Sequence, residues 1–514
     1  MIKDIYYTGK YKNDGSYDDS WREPYWEALR KEAGADEAAD KIVDSLKLLY
    51  TLYTDDLIKW YANLYDPGTG AFYCTASGKA NEGFLPDVES TVQAFVFMNT
   101  SGLLEAHGND YRNILTDEMK KKLIRFVKGM QRPNGYFYNY LMSEDAINEA
   151  VPKRGRDLGW CTMLLRDLGD CPTYDTPNGV KGNGLDKDGK PVADASVGGQ
   201  PSAECKSEDG CSAANSKNEG NCSAANSKSA GCCEDKKSAA ALNYPEYLEN
   251  KETMLEYLNS NVKVVEETYP AGNHLNATYS QYMARDVAMG WLGTEKSLTR
   301  GLIEWLNERI DPETGYWSHD KTFNGTNGYF KIIVIYNKWG YPYPEALKAT
   351  EAILAGLLGD QPTTHNSCEI YNLWSALIST KENVLKCYSE QEGRAVLSKI
   401  ADTMKEKGAD AIINTYKKQS GYQTADGAFC HQVDRIPEPD KIKFHQGKIP
   451  VGLFIPEGDV DAIDKVSTGI TRNILRAYGF KTNVPIFSDK DFKLFRSIME
   501  GALPVEKKNT KTYR

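Results

Sequence analysis

Two acidic stretches far apart in the chain read like copies of each other. The first is Phe84-Leu85-Pro86-Asp87-Val88-Glu89-Ser90-Thr91, and the second is Ile455-Pro456-Glu457-Gly458-Asp459-Val460-Asp461-Ala462. Each sets a proline and then Asp-Val-acid ahead of an apolar helical pattern. Paired carboxyl groups roughly 6.5–9.5 Å apart can act as general acid and general base on a glycosidic bond, with room for one water. Asp87 or Glu89 on one side and Asp459 or Asp461 on the other are therefore the expected catalytic acids, with Glu457 beside them on the substrate. Clustered carboxylates raise one another's pKa, which suits a general acid. A plainer explanation competes for the first acid of each stretch. An Asp at a helix N-cap stabilises the helix by about 1 kcal/mol and needs no function. One cap per helix leaves Glu89, Glu457 and Asp461 unexplained.

Other polar groups stand where apolar helices begin. Arg156-Asp157, then His274, Asn276 and Tyr279 with Arg285-Asp286 further in, and His365, Asn366, Glu369 and Asn372 are of this kind. Lys331 interrupts the apolar run Tyr329-Phe330-Lys331-Ile332-Ile333. A buried lysine needs a carboxylate partner or loses its charge, so Lys331 is expected to reach a central cavity or to pair between helices. His274, Asn276, Tyr279, Asp286, Lys331 and Glu369 are the expected substrate contacts. Tyr279 with His274 or Asn276 also fits a lyase, in which a tyrosine removes the proton alpha to a uronate carboxylate and cations stabilise the enolate. Four loops carry Gly-x-aromatic: Gly70-Ala71-Phe72, Gly135-Tyr136-Phe137, Gly315-Tyr316-Trp317 and Gly427-Ala428-Phe429. Tyr136, Phe137, Trp317 and Phe429 are expected to stack on a ligand, or else to staple their loops to the helices.

The elements that must position these groups follow from apolar periodicity. Amphipathic, charged helices are expected at about 36–62, 116–131, 251–267, 295–310, 343–358 and 391–417. More apolar partners are expected at about 87–100, 155–168, 277–292, 325–339, 365–379 and 459–478. A helix apolar on most faces belongs inside, and paired helices repeated along a chain bury their faces on one another. The expected fold is all-α, an (α/α)6 toroid of six helical hairpins. Its long loops lie on the rim where the inner helices begin, and long loops tend to be functional. In a closed ring the first and sixth inner helices are neighbours, which brings the two acidic stretches together.

Residues 1–35 read as an N-terminal arm, 36–502 as the toroid domain, and 503–514 as a tail. Low-complexity sequence at about 185–240 interrupts the domain. It holds Cys205, Cys211, Cys222, Cys232 and Cys233 and a tandem repeat around Ser-Ala-Ala-Asn-Ser-Lys. It has too few large apolar residues to form a core, no CxxC pair of zinc spacing, and an expected position on the rim away from the inner-helix starts. The net charge of −10 argues against a nucleic-acid partner, which calls for a basic face. No signal peptide, membrane span, cofactor motif or metal site is legible, so a cytoplasmic protein acting on a small molecule or oligosaccharide without a cofactor is expected. Oligomeric state is not legible.

The pattern over roughly 36–480 resembles the alpha/alpha toroid superfamilies. Six-hairpin glycosidases and toroid polysaccharide lyases share six helix pairs with an acidic, aromatic mouth. That resemblance implies a glycoside hydrolase or, alternatively, an oligosaccharide lyase. Terpenoid cyclases and prenyltransferase-like proteins share a QxxxGxW loop repeat, to which Gln131-Arg132-Pro133-Asn134-Gly135-Tyr136-Phe137 is similar with Phe in place of Trp. Asp459-Val460-Asp461-Ala462 matches their Asp-x-Asp-Asp proton-donor motif except at the last Asp, so this resemblance implies Asp461 as donor. A toroid that binds a ligand without turnover is the further alternative.

Overall fold

The computed structural model describes residues 15–80, 84–140, 143–192, 244–319, 321, 323–359, 366–431 and 457–504. His365, most of the low-complexity segment and the end of the tail lie outside these residues. Among the described residues the fold is all-α, with isolated β-bridges and no strand.

Apart from the short helices Ala76–Ala80 and Glu144–Glu149, the helices in chain order are α1 (Glu23–Glu32), α2 (Glu37–Tyr50), α3 (Asp55–Ala62), α4 (Val88–Thr100), α5 (Asp117–Gly129), α6 (Val151–Asp167), α7 (Lys251–Asn261) and α8 (Thr268–Met289). They continue as α9 (Leu298–Asn307), α10 (Phe323–Trp339), α11 (Ala346–Leu358), α12 (Cys368–Cys387), α13 (Glu390–Ser420), α14 (Val460–Asp464), α15 (Ile470–Tyr478) and α16 (Asp489–Glu500). A π-helical segment, Lys465–Gly469, joins α14 to α15.

Some helices bury one stripe and others most of their surface, as α5 and α4 show. α5 sets Leu123, Phe126 and Val127 on a buried stripe and leaves Asp117, Glu118, Lys121 and Arg125 exposed. α4 buries residues around most of its circumference, from Val88 to Met98. Alternate helices pack in succession: α4 on α6, α6 on α8, α8 on α10, α10 on α12 and α12 on α15. α14 packs back on α4, and α13 packs on both α11 and α2. The expected arm at 1–35 includes α1, which packs on α2 and buries Trp26 and Leu29.

The four Gly-x-aromatic loops make one kind of turn. Each glycine amide donates to a carbonyl three or four residues back: Gly70 to Asp66 (2.9 Å), Gly135 to Arg132 (2.9 Å), Gly315 to Asp311 (2.8 Å) and Gly427 to Thr424 (3.0 Å). The φ angles are 76°, 81°, 69° and 80°, in the region that favours glycine. At Gly135 a Cβ would also lie 2.2 Å from the Asp175 carbonyl oxygen. The turn drives its aromatic inward, and Phe72, Phe137, Trp317 and Phe429 are fully buried.

That burial corrects one expectation. Phe137, Trp317 and Phe429 belong to the core and present no face to a ligand. The Trp317 indole N–H donates to the Leu306 carbonyl (2.9 Å). Tyr136 is almost fully buried, and its hydroxyl donates to Gln281 (3.1 Å).

The chain after α6 departs from the expected rim. Residues 170–184 turn back and pack on the second aromatic turn, where the Gln131 side chain accepts from the Thr173 and Tyr174 amides (2.7 and 3.1 Å). Lys128 pairs with Asp170 at 3.0 Å and pins the start of this segment to α5.

Candidate functional site

The repeated Asp-Val-acid pattern divides its labour by position. Asp87 is the N-cap of α4; its Oδ1 accepts the Ser90 amide (2.9 Å) and its Oδ2 the Ser90 hydroxyl (2.6 Å). Asp459 does the same for α14, accepting the Ala462 amide at 2.9 Å. Both are buried, and neither lines a cavity among those described. These carboxylates close helix ends. Each cap residue is tied to an aromatic turn, since the Asp87 amide donates to the Phe72 carbonyl (3.2 Å) and the Asp459 amide to that of Phe429 (3.0 Å). The Val460 amide then donates to the Cys74 carbonyl at 3.0 Å, which brings the two stretches together.

Glu89 and Asp461, two residues past each cap, line one cavity of about 370 Å³. Gln93, one turn beyond Glu89 on the same face of α4, donates from its amide to Asp461 Oδ1. Arg156 and Trp160 come from α6, Asn276, Tyr279 and Ser280 from α8, and Lys331 from α10. Asn178, on the returning segment, completes the wall, and its amide donates to the Thr162 hydroxyl at 3.2 Å. Gly155 lets α6 approach α8 closely, because a Cβ there would sit 2.3 Å from the Ala277 carbonyl oxygen.

Charges beneath the cavity hold Glu89. The Lys153 ammonium lies 3.9 Å from Glu89 Oε2 and is also paired with Asp157. Burial raises the Asp157 pKa, and the Lys153 charge opposes that rise. The guanidinium of Arg156 lies over the Trp160 ring (5.9 Å). The Asn276 amide donates to the Lys331 carbonyl (3.0 Å). Tyr279 meets Trp339 edge-on, and burial raises its pKa. A phenol so shifted is a weak proton acceptor at neutral pH.

Of the expected site residues, the structure thus brings Glu89, Asn276, Tyr279, Lys331 and Asp461 to one cavity, and it places the others elsewhere. Asp286 anchors the start of α9, accepting from the Ser297 hydroxyl (2.7 Å), the Leu298 amide (2.7 Å), and the Thr299 amide (3.0 Å) and hydroxyl (2.8 Å). Glu457 is bonded to Ser77, whose amide lies at 3.2 Å, and burial raises its pKa. Glu369 is buried in the first turn of α12 and is not part of the cavity wall. His274 faces α7, with Nε2 3.3 Å from the Tyr257 hydroxyl.

Burial lowers the His274 pKa from its ordinary 6.5 to about 4. The unfolded chain therefore takes up a proton near pH 6.5 that the folded chain refuses until about pH 4. Stability from this residue is intact above pH 6.5 and falls as pH drops toward 4. The residue keeps some exposed surface, so the loss is expected at about 1–3 kcal/mol. Chemical denaturation of His274→Gln across that range should show a shallower acid slope than the parent; parallel slopes would refute the assignment.

The sequence did not reveal Gln93, Trp160, Asn178 or the pair Cys368 and His431. The four-residue spacing from Glu89 and Arg156 is the signal that could have found Gln93 and Trp160. Cys368 Sγ and His431 Nδ1 are 3.9 Å apart, and His431 Nδ1 is 3.7 Å from Asp461 Oδ2. With Asp461 they form the one group of three or more metal-ligand side chains within reach of a single ion among the described residues. No helix among those residues is long and apolar enough to cross a membrane. No family model, curated protein or solved structure matches the chain.

Proposed function

We propose that the chain is an (α/α)6 toroid that binds an oligosaccharide at its mouth and hydrolyses a glycosidic bond, with Glu89 and Asp461 as the paired carboxyl groups. The succession of helix contacts from α4 to α15, with α14 returning to α4, supports the ring. One observation carries the activity: two carboxyl groups from opposite ends of the chain share one cavity with Trp160, Tyr279 and a set of amides. Indole and phenol rings suit the apolar faces of sugars. Gln93, Asn178, Asn276 and Ser280 suit their hydroxyls, because buried hydroxyls require hydrogen-bond partners. One carboxyl group protonates the glycosidic oxygen while the other assists water or attacks carbon.

The polar wall disfavours terpenoid cyclisation, which needs a dry apolar cavity. A lyase mechanism has Arg156 and Lys331 to neutralise a uronate, but it needs an ionised Tyr279, and burial works against that.

The test incubates the purified chain with a panel of neutral and acidic oligosaccharides and measures new reducing ends. Release of reducing sugars without an unsaturated product is the expected result. Products with the ultraviolet absorbance of an unsaturated uronate, or tight binding with no turnover, would overturn the hydrolase reading.

A further inference from the structure

We propose that Cys368, His431 and Asp461 form a binding site for a divalent transition-metal ion with the preferences of zinc, beyond the hydrolytic reading above. The three side chains come from the first turn of α12, the residue after Cys430, and α14. All three are buried. Their ligand atoms lie within 4.8 Å of one another. Zinc bonds of about 2.0–2.3 Å in tetrahedral array set ligand atoms roughly 3.3–3.8 Å apart, so an ion draws the three groups together by about 1.5 Å at most. A thiolate, an imidazole and a carboxylate match zinc, whereas calcium and magnesium require oxygen ligands throughout.

Neighbouring groups hold these ligands in place. Gln93 occupies Asp461 Oδ1, and Oδ2 is the oxygen that faces His431. The Ser367 amide donates to the His431 carbonyl (2.9 Å) and ties that loop to α12. The Asn366 amide nitrogen lies 3.1 Å from His431 Nε2, while its oxygen accepts the Cys368 amide (2.8 Å). This arrangement sets the imidazole proton on Nδ1, between thiol and carboxylate. Metal uptake releases the thiol proton to solvent and moves the imidazole proton from Nδ1 to Nε2. The proton then carried on Nε2 requires Asn366 to turn its oxygen to the ring and give up the Cys368 bond. Affinity for the ion therefore rises with pH, because one proton leaves for each ion bound. Asp461 borders the cavity, so water or a substrate oxygen supplies the fourth ligand from that side. A metal-bound Asp461 cannot also donate a proton, so metal occupancy and the acid–base role of Asp461 exclude each other.

The test uses the full chain with Cys205, Cys211, Cys222, Cys232 and Cys233 changed to serine, which removes competing thiols. Titration of the chelator-treated protein with zinc against a chromophoric competitor should give one ion per chain. Cobalt substitution should give a thiolate-to-cobalt charge-transfer band. Cys368→Ser and His431→Gln should weaken binding by at least 100-fold with an unchanged helical circular dichroism signal. Asn366→Ala should weaken it about 10–100-fold, as loss of an outer partner does. No stoichiometric binding, no charge-transfer band in the folded parent, or unchanged affinity in both ligand variants would overturn the proposal. Binding that raises oligosaccharide turnover would retain the metal site and remove Asp461 from acid–base chemistry. Loss of turnover with no metal binding would do the reverse.

Discussion

Glu89→Gln is expected to lower turnover of a cleaved oligosaccharide by about 10²–10⁴-fold while leaving the fold intact, and Asp461→Asn to do the same. Each change keeps shape and removes the ability to exchange a proton. The loss should appear in kcat more than in KM, because the group acts on the reacting bond. Substrates with good leaving groups separate the two roles: the general-acid variant should recover on them, and its partner should not. Asp87→Ala is the internal contrast. It should lose about 0.5–2 kcal/mol of stability, the cost of a missing N-cap, and keep its turnover. Full activity in both Glu89→Gln and Asp461→Asn would sink the proposed mechanism, whatever the substrate.

The largest stability effect is expected from Asp286→Ala. Four hydrogen bonds from Ser297, Leu298 and Thr299 converge on this carboxylate, which has no exposed surface. Truncation leaves amide and hydroxyl groups at the start of α9 buried without their acceptor, at about 1–3 kcal/mol for each group that finds no other. A total loss of about 3–5 kcal/mol follows, read by thermal melting and by proteolysis of the α8–α9 junction. Asp286→Asn, which retains one acceptor oxygen, should fall between. Parent-like melting of Asp286→Ala with loss of ligand binding would return this residue to the functional mouth.

Strong periodicity made most helices legible. Asp117–Gly129 and Val88–Thr100 match expectation within a few residues, because their apolar and charged positions follow the turn of a helix. α8 starts nine residues before the expected 277, at Thr268. Pro270 and Gly272 look like loop punctuation, yet a proline in the first turn costs no helical hydrogen bond. That early start moved His274 away from the helix opening. The expected first charged helix at 36–62 is instead two, α2 and α3, broken at 51–54.

The site was half legible for a related reason. Asp-Val-acid signals a helix start, but only side-chain direction tells the capping acid from the one two residues on. Gly-x-aromatic signals a turn, and the left-handed glycine decides that its aromatic faces the core. Cys368 and His431 carry no local spacing signal, because chain folding alone sets them beside Asp461.

The Val460–Cys74 hydrogen bond and the packing of α14 on α4 also bear on how the molecule comes apart. A linear stack of repeats sheds its terminal units first, since each has a neighbour on one side only. Here the first and last helical pairs are each other's neighbours, and neither offers a loose edge. Releasing either pair therefore breaks contacts on two sides, and resistance to proteases is expected to fall cooperatively when heat or denaturant parts that junction.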